Sequence, residues 1–284
     1  MKPHLFSNFD EAIRQAGYQL QFRSNLVHSA RWQGSDISDK PEMATHEVAH
    51  CSFGVQLDQI EDLDVYRNNI KPNLPWADDH FLERVCGSPI NPGIEWRNWP
   101  YGKSAERFLD DNAQFNHNYM ERYWPKLAGR LPASWDAEAF EQNVKNASAM
   151  GNCMMPNQGI RYEYGDLNDV VELLLEDPFT RQAYLPVWFP EDTGGGSKRA
   201  PCTIGYHFMM RENLLDINYE IRSCDFVRHF RDDLYLTTRL LLWVLDRCRE
   251  KDNRWKNISP GKFYMQIGSL HVFRNDYQML FGGQ

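Results

Sequence analysis

Apolar and polar residues alternate from Ala49 to Leu57, with Ala49, Cys51, Phe53, Val55 and Leu57 on one side, and this period of two predicts a half-buried strand. Two later segments follow the same rule. Thr203 to Met210 sets Ile204, Tyr206, Phe208 and Met210 on one face, and Leu215 to Ile221 does so with Leu215, Ile217, Tyr219 and Ile221. The polar Arg211-Glu212-Asn213 between them predicts a hairpin. The run from Leu167 to Glu176 reads as a helix, stopped by Pro178 because the residue before a proline is pushed out of the helical region. Leu234 to Arg249 is apolar enough for a buried helix. Strands and helices mix without a strict strand–helix–strand rhythm. This predicts an α+β fold, a mainly antiparallel or mixed sheet backed by helices, in a single domain over residues 1–284.

Composition narrows the function classes. With 42% apolar residues in 284, the chain can bury a sizeable core. A formal charge of −8 argues against binding a nucleic-acid polymer without regard to sequence, although a few converging arginines can still hold one phosphate. The N-terminal MKPHLFSNFDEAIRQ has no apolar segment of signal-peptide type, and no run is long enough to span a membrane. The six cysteines lie far apart with no C-x-x-C pair, as expected of reduced thiols in a cytoplasmic protein.

Three features bear on chemistry. Cys202 follows Pro201 at the mouth of a strand, just after a glycine-rich loop from Asp192 to Lys198. A nucleophilic thiol needs a nearby cation, and His207, five residues along a strand, falls on the opposite face. The second feature is His46-Glu47-Val48-Ala49-His50, a literal H-E-x-x-H. On a helix it would hold zinc, but it runs directly into the alternating strand and no third ligand is evident. The third is Arg222 beside Ser223, a pair able to bind phosphate or to sit in a surface ion pair.

In order and near spacing, four blocks between residues 178 and 273 resemble the thymidylate synthase superfamily. They are Pro178-Phe179-Thr180-Arg181 with Leu185 to Asp192, Ala200-Pro201-Cys202, Arg222-Ser223-Cys224-Asp225, and Gly268-Ser269-Leu270-His271-Val272-Phe273. The last stands where that family has G-D-x-H-x-Y. The resemblance implies that Cys202 adds to C6 of the pyrimidine of a nucleoside monophosphate, so that C5 can attack 5,10-methylenetetrahydrofolate. It implies that Arg222 and Ser223 bind the 5′-phosphate, with Arg222 also favouring the thiolate. Asp225 would contact the pterin and His271 the sugar. Arg181 would reach the phosphate of a neighbouring subunit, in a homodimer with shared active sites. Glu83, within Trp76 to Arg84, is the candidate for the family's general acid–base, against a solvated helix charge.

Departures from the family pattern sharpen the expectation. Eight residues after Asp225, where the synthases carry an Asn that pairs with uracil, this chain has Asp233. A carboxylate accepts from the amino group of cytosine and pairs with N3 once that atom is protonated. The phage deoxycytidylate hydroxymethylases read F-R-N-D here, and this chain reads Phe230-Arg231-Asp232-Asp233. Only eleven residues follow Phe273, whereas the synthases continue and close over the site, so water rather than hydride is expected to complete the reaction. Phe273 replaces a Tyr, which leaves ribose and deoxyribose both open, and Gln182 replaces a second Arg. The expectation is a CMP or dCMP 5-hydroxymethylase. The alternatives are a pyrimidine-nucleotide C5 methyltransferase, an H-E-x-x-H zinc hydrolase and a nucleotide-binding protein without turnover.

Overall fold

The computed structural model describes residues 3–87, 89–128, 164–193 and 199–282. Its strands are β1 (His4–Phe6), β2 (Asn25–Val27), β3 (Arg31–Trp32), β4 (Ser35–Asp36), β5 (Thr45–Gln56), β6 (Tyr184–Pro186), β7 (Thr203–Arg211), β8 (Leu214–Asp225) and β9 (Ser259–Phe273). Its helices are α1 (Phe9–Arg23), α2 (Leu63–Ile70), α3 (Trp76–Val85), α4 (Tyr119–Tyr123), α5 (Leu167–Glu176), α6 (Phe230–Lys251) and α7 (Arg274–Phe281). Seven strands form one sheet in the order β1-β5-β9-β8-β7-β6, with β2 also on β5. β1–β5 and β8–β9 pair parallel and the other pairs antiparallel, so the sheet is mixed. Helices back it, as expected of an α+β fold. No helix among the described residues is long and apolar enough to cross a membrane.

Local chemistry explains where elements begin and end. Asp166 caps α5 by accepting from Asn168 and Asp169, and Asp169 bonds back to the cap, so the helix occupies the span its periodicity predicts. Glu212 and Asn213 take φ of 54° and 60°, the left-handed pair that a tight hairpin between β7 and β8 needs. α6 runs longer than its apolar stretch, starting at Phe230, and packs Leu234, Leu240, Leu241 and Val244 into the core. Phe263 lies at the core's centre, fully buried, its ring 5.1 Å from Phe9 and 6.4 Å from Phe53.

The strand patterns differ from simple alternation at two places. The register shifts between Thr203 and Gly205, a bulge that turns Ile204 out to solvent instead of into the core. The second departure crosses three strands. His50 has φ of 56°, Gly268 lies beside it, and a Cβ at Gly268 would sit 2.6 Å from the carbonyl oxygen of Arg222. Register passes through unchanged, with Ala49 and Cys51 opposite Ser269 and Ile267, and Ile221 and Ser223 opposite Ile267 and Ser269. The inward face nevertheless slips by one residue. Core contacts step by three, from Cys51 to Val48, from Ile267 to Leu270 and from Ile221 to Cys224. Above this kink, Glu47, Ser223, Asp225, Ser269 and His271 turn away from the apolar core. This is why Ala49 is exposed although it shares the parity of Phe53 and Val55.

On the sheet's outer face two glycines lie under tyrosines. A Cβ at Gly54 would come 2.9 Å from the Tyr264 ring, and one at Gly205 would come 2.5 Å from the Tyr184 hydroxyl. Between them a polar row runs from Gln266 to Asn218 to Glu220 at 3.2 and 3.0 Å, with Tyr184 donating to Glu220 at 3.3 Å.

Candidate active site

Cys202 is half-buried at the start of β7. Arg222, from the neighbouring β8, donates through Nε to the Pro201 carbonyl at 2.9 Å and through Nη2 to the Ala200 carbonyl at 3.0 Å. These bonds hold its Nη2 4.0 Å from the Cys202 sulfur, and its guanidinium lies over Trp188. The expected activation of the thiol is incomplete. Burial pushes the Cys202 thiol above its usual value, and Asp233 and Asp225 add to this. The cations Arg222 and Arg199 oppose the shift without reversing it. The resting sulfur is therefore a thiol, and a base or a bound ligand must help to remove its proton.

Asp233, on the first turn of α6, belongs to the same electrostatic cluster as Cys202. It accepts the Cys224 thiol at 3.6 Å. Burial and the neighbouring Asp232 raise its carboxyl to about 7 despite the opposing Arg84. Arg84, buried, donates from Nε to His80 at 2.9 Å and lies over the Tyr119 ring at 4.1 Å. Tyr119 and Tyr219 meet on Thr203, whose hydroxyl is 3.0 and 2.9 Å from theirs. Thr203 follows Cys202 in the chain, and Tyr119 interacts electrostatically with the Cys202 sulfur.

Ser223, Asp225 and His271 come together on β8 and β9. His271 Nδ1 lies 3.5 Å from the Ser223 hydroxyl and 3.4 Å from the Ser269 carbonyl. Burial lowers its pKa, while Asp225, the Ser269 carbonyl and Glu47 oppose this. Asp225 accepts from the backbone N–H groups of Val227 and Arg228 at 2.9 and 3.1 Å and from the Arg228 guanidinium at 2.8 Å. Arg228 reaches on to Asp276 at 2.6 Å. Next to this group, His229 stacks on Trp99 with centroids 4.7 Å apart. Desolvation against Trp99, helped by Arg199, His271 and Arg228 and opposed by Asp225, lowers the pKa of His229.

Of the other predicted residues, Glu83 is tied to the Asp233 cluster through His80, which bonds both Glu83 and Arg84. Glu83 sits on α3, where its carboxylate accepts from the backbone N–H groups of Ile94 and Glu95 and pairs with His80 at 3.0 Å. Arg181 is exposed just before β6, and its carbonyl contacts His207 at 3.1 Å, which takes that histidine away from Cys202 as expected. Gln182 is exposed beside Arg181. The H-E-x-x-H segment is strand, not helix, so its two histidines do not share a helical face. His46 stacks on Tyr277, and no group of three metal-ligating side chains occurs among the described residues. The loop at 194–198 and Cys153 lie outside the described residues. A cavity of about 850 Å³ between α1 and β5 is lined by His50 of the H-E-x-x-H segment but by none of the residues expected to bind nucleotide or folate.

Sequence reasoning missed Tyr119, Thr203, Arg84, Arg199 and His229. Tyr119 and Thr203 are 84 residues apart in the chain, and no local pattern marks their contact. Only His229 carried a signal, lying between Asp225 and Asp233 in the segment counted for the base contact.

Comparison of the sequence with known proteins gives the family. Residues 93–281 match the thymidylate synthase family model, so the chain belongs to the thymidylate synthase family. It is similar to a deoxyuridylate hydroxymethyltransferase of Bacillus phage SP01, 27% identical over 182 residues. That match covers 62% of this chain and 38% of the phage protein, so the chain spans well under half of that relative. Proteins of Methanosarcina mazei and Methanosarcina acetivorans, provisionally named thymidylate synthases, are each 25% identical over 63% of this chain and 79% of their own lengths.

Proposed function

We propose that this protein is a cytidylate 5-hydroxymethylase, acting on CMP or dCMP with 5,10-methylenetetrahydrofolate. The observation that carries this reading is a carboxylate, Asp233, in one electrostatic cluster with a thiol, Cys202, at the position where the family's amide reads uracil. Ionised, Asp233 accepts from the cytosine amino group, and a carboxyl near 7 can also share a proton with N3. Cys202 loses its proton and adds to C6, which places negative charge on C5. Arg222 and Ser223 hold the 5′-phosphate, and Arg222 steadies the thiolate. His271 faces the sugar. Glu83 is the base for the C5 proton, once its bonds to the residue 94–95 backbone loosen.

The donor set fits the folate. Asp225 Oδ2 has one bonded partner among the described residues, Arg228, and so keeps a lone pair for a pterin N–H. Trp99 and Tyr101 offer aromatic faces nearby, with Arg228 lying over Tyr101. When bound, the folate supplies a carbon at the oxidation level of formaldehyde. Asp225, Trp99 and Tyr101 orient it against the base.

We further infer a cytoplasmic homodimer in which Arg181 completes the partner's phosphate site. The polar outer sheet face supports this, since the described helices leave it uncovered. Mixing Arg181→Ala with Cys202→Ser chains should restore activity, because one mixed site escapes both lesions. No rescue in proven heterodimers rules out the shared site. The name of the phage relative supports a second reading, hydroxymethylation of a uridylate. Below its pKa, Asp233 could donate to O4. Incubating the protein with each of CMP, dCMP, UMP and dUMP plus the folate, then weighing the products, decides among these. A gain of 30 mass units on a cytidylate is the expected result, by roughly the mass of CH2O. Gain only on uridylates, or a methyl gain, overturns the reading.

A further inference from the structure

Two carboxylates flank His271. In the parallel ladder Asp225 stands directly opposite it on β8, and in the antiparallel ladder Glu47 stands directly opposite it on β5. Directly paired residues share a face, so Asp225, His271 and Glu47 form one row across three strands. Ser269, two residues before His271 and on the same face, donates its hydroxyl to Glu47 at 2.6 Å. The Ser269 carbonyl lies 3.4 Å from His271 Nδ1. A carbonyl only accepts, so a proton on Nδ1 would point at it and leave the Nε2 lone pair open. Ser269 also stands where the family motif has an aspartate. The carboxylate absent from β9 is present on β5, in a segment outside the matched residues 93–281.

We propose that Glu47 is a positioning residue for His271: it anchors Ser269, whose carbonyl faces Nδ1, and sets a negative charge beside the ring that favours the Nδ1–H form, with Nε2 free to accept from a substrate hydroxyl. The glutamate of the failed zinc motif thus belongs to the nucleotide site. The proposal extends the assignment of His271 to the sugar and rests on that reading for its kinetic consequence only. The charged and titratable groups around His271 are Asp225 on β8, Arg228 and His229 after it, and Glu47 on β5. Of these, Asp225 is already engaged by Arg228 at 2.8 Å, which leaves Glu47 as the carboxylate without a guanidinium partner among the described residues.

The test is an NMR titration of the His271 ring in the substrate-free protein. Glu47→Gln keeps an acceptor for Ser269 but removes the charge. Loss of a negative neighbour destabilises the imidazolium, so the His271 midpoint should fall by roughly half a unit or more. Glu47→Asp should recover most of that fall. With active enzyme, Glu47→Gln and Ser269→Ala should each raise KM for the nucleotide several-fold while changing kcat less. An unmoved His271 midpoint in Glu47→Gln overturns the proposal. If no pyrimidine nucleotide turns over, the functional reading fails, yet the titration still decides the role of Glu47. Should Glu47→Gln not fold, Ser269→Ala replaces it, and a wild-type KM in that variant overturns the proposal.

Discussion

The same three strands build two unlike regions on either side of one kink. Below His50, Gly268 and Arg222, β5, β8 and β9 present Phe53, Phe263, Met265, Ile217 and Tyr219 to the helices, all buried. Above it, Glu47, Ser223, Asp225, Ser269 and His271 face the other way; Ser223 and Ser269 contact His271, Ser269 bonds Glu47, and Asp225 is held by Arg228. The ladders pass from one region to the other without a change of register at the kink. A slip of face alone therefore converts core strand into site strand. The lower half supplies rigidity, and the upper half can hold buried charge because that rigidity fixes its partners.

This contrast predicts separable effects. The largest is expected from Cys202→Ser, which should lower turnover by roughly three orders of magnitude or more while leaving the melting temperature and nucleotide binding close to wild type. Residual turnover near wild type would mean that covalent addition is not the route. Next comes the lower half. Phe263→Ala empties a fully buried site and should cost about 3–5 kcal/mol by denaturant unfolding, with kcat per folded molecule preserved.

Asp233→Asn should have an intermediate effect on two readouts. The preference for cytosine over uracil nucleotides, measured as a ratio of kcat/KM, should move towards uracil by at least about tenfold. Stability should also change with pH. A carboxyl held at about 7 in the fold, above its unfolded value, favours the folded state most below about pH 4 and loses that contribution as pH rises towards 7. The asparagine variant lacks this loss. It should gain on wild type by about 1–2 kcal/mol between those limits, a figure discounted because Asp233 is only partly shielded from solvent. Parallel stability curves would contradict the elevated pKa.

The smallest effect is expected from Phe273→Tyr. The ring is already held against Trp32 and His271 at 6.0 and 5.9 Å, so the new hydroxyl adds one hydrogen bond at most. KM for one of the two sugars should fall by roughly threefold to tenfold. The sugar that benefits is the one whose hydroxyl lies there.

Legibility in the sequence follows the same divide. α5 was legible to the residue because its cap and the proline beyond it are local. The cores of β7 and β8 were legible because alternation reports burial, and the hairpin because polar residues separate them. The bulge that exposes Ile204 and the kink at His50 were not, since both depend on neighbouring strands. In the site, motif order brought Cys202, Arg222, Ser223, Asp225, Asp233 and His271 into view. Glu47, Tyr119, Thr203 and Arg84 stayed hidden because each meets its partner only through tertiary contact. The H-E-x-x-H motif misled for the reverse reason, as its spacing has meaning only on a helix.

Gly54 and Gly205 give the outer sheet face a particular relief. With no Cβ beneath them, the rings of Tyr264 and Tyr184 can lie low, and the surface is level where two bulky side chains would otherwise tent it. A level surface lets a second sheet approach to about 10 Å, the ordinary spacing of stacked sheets. Two absent methyl groups thus set how closely another body can come.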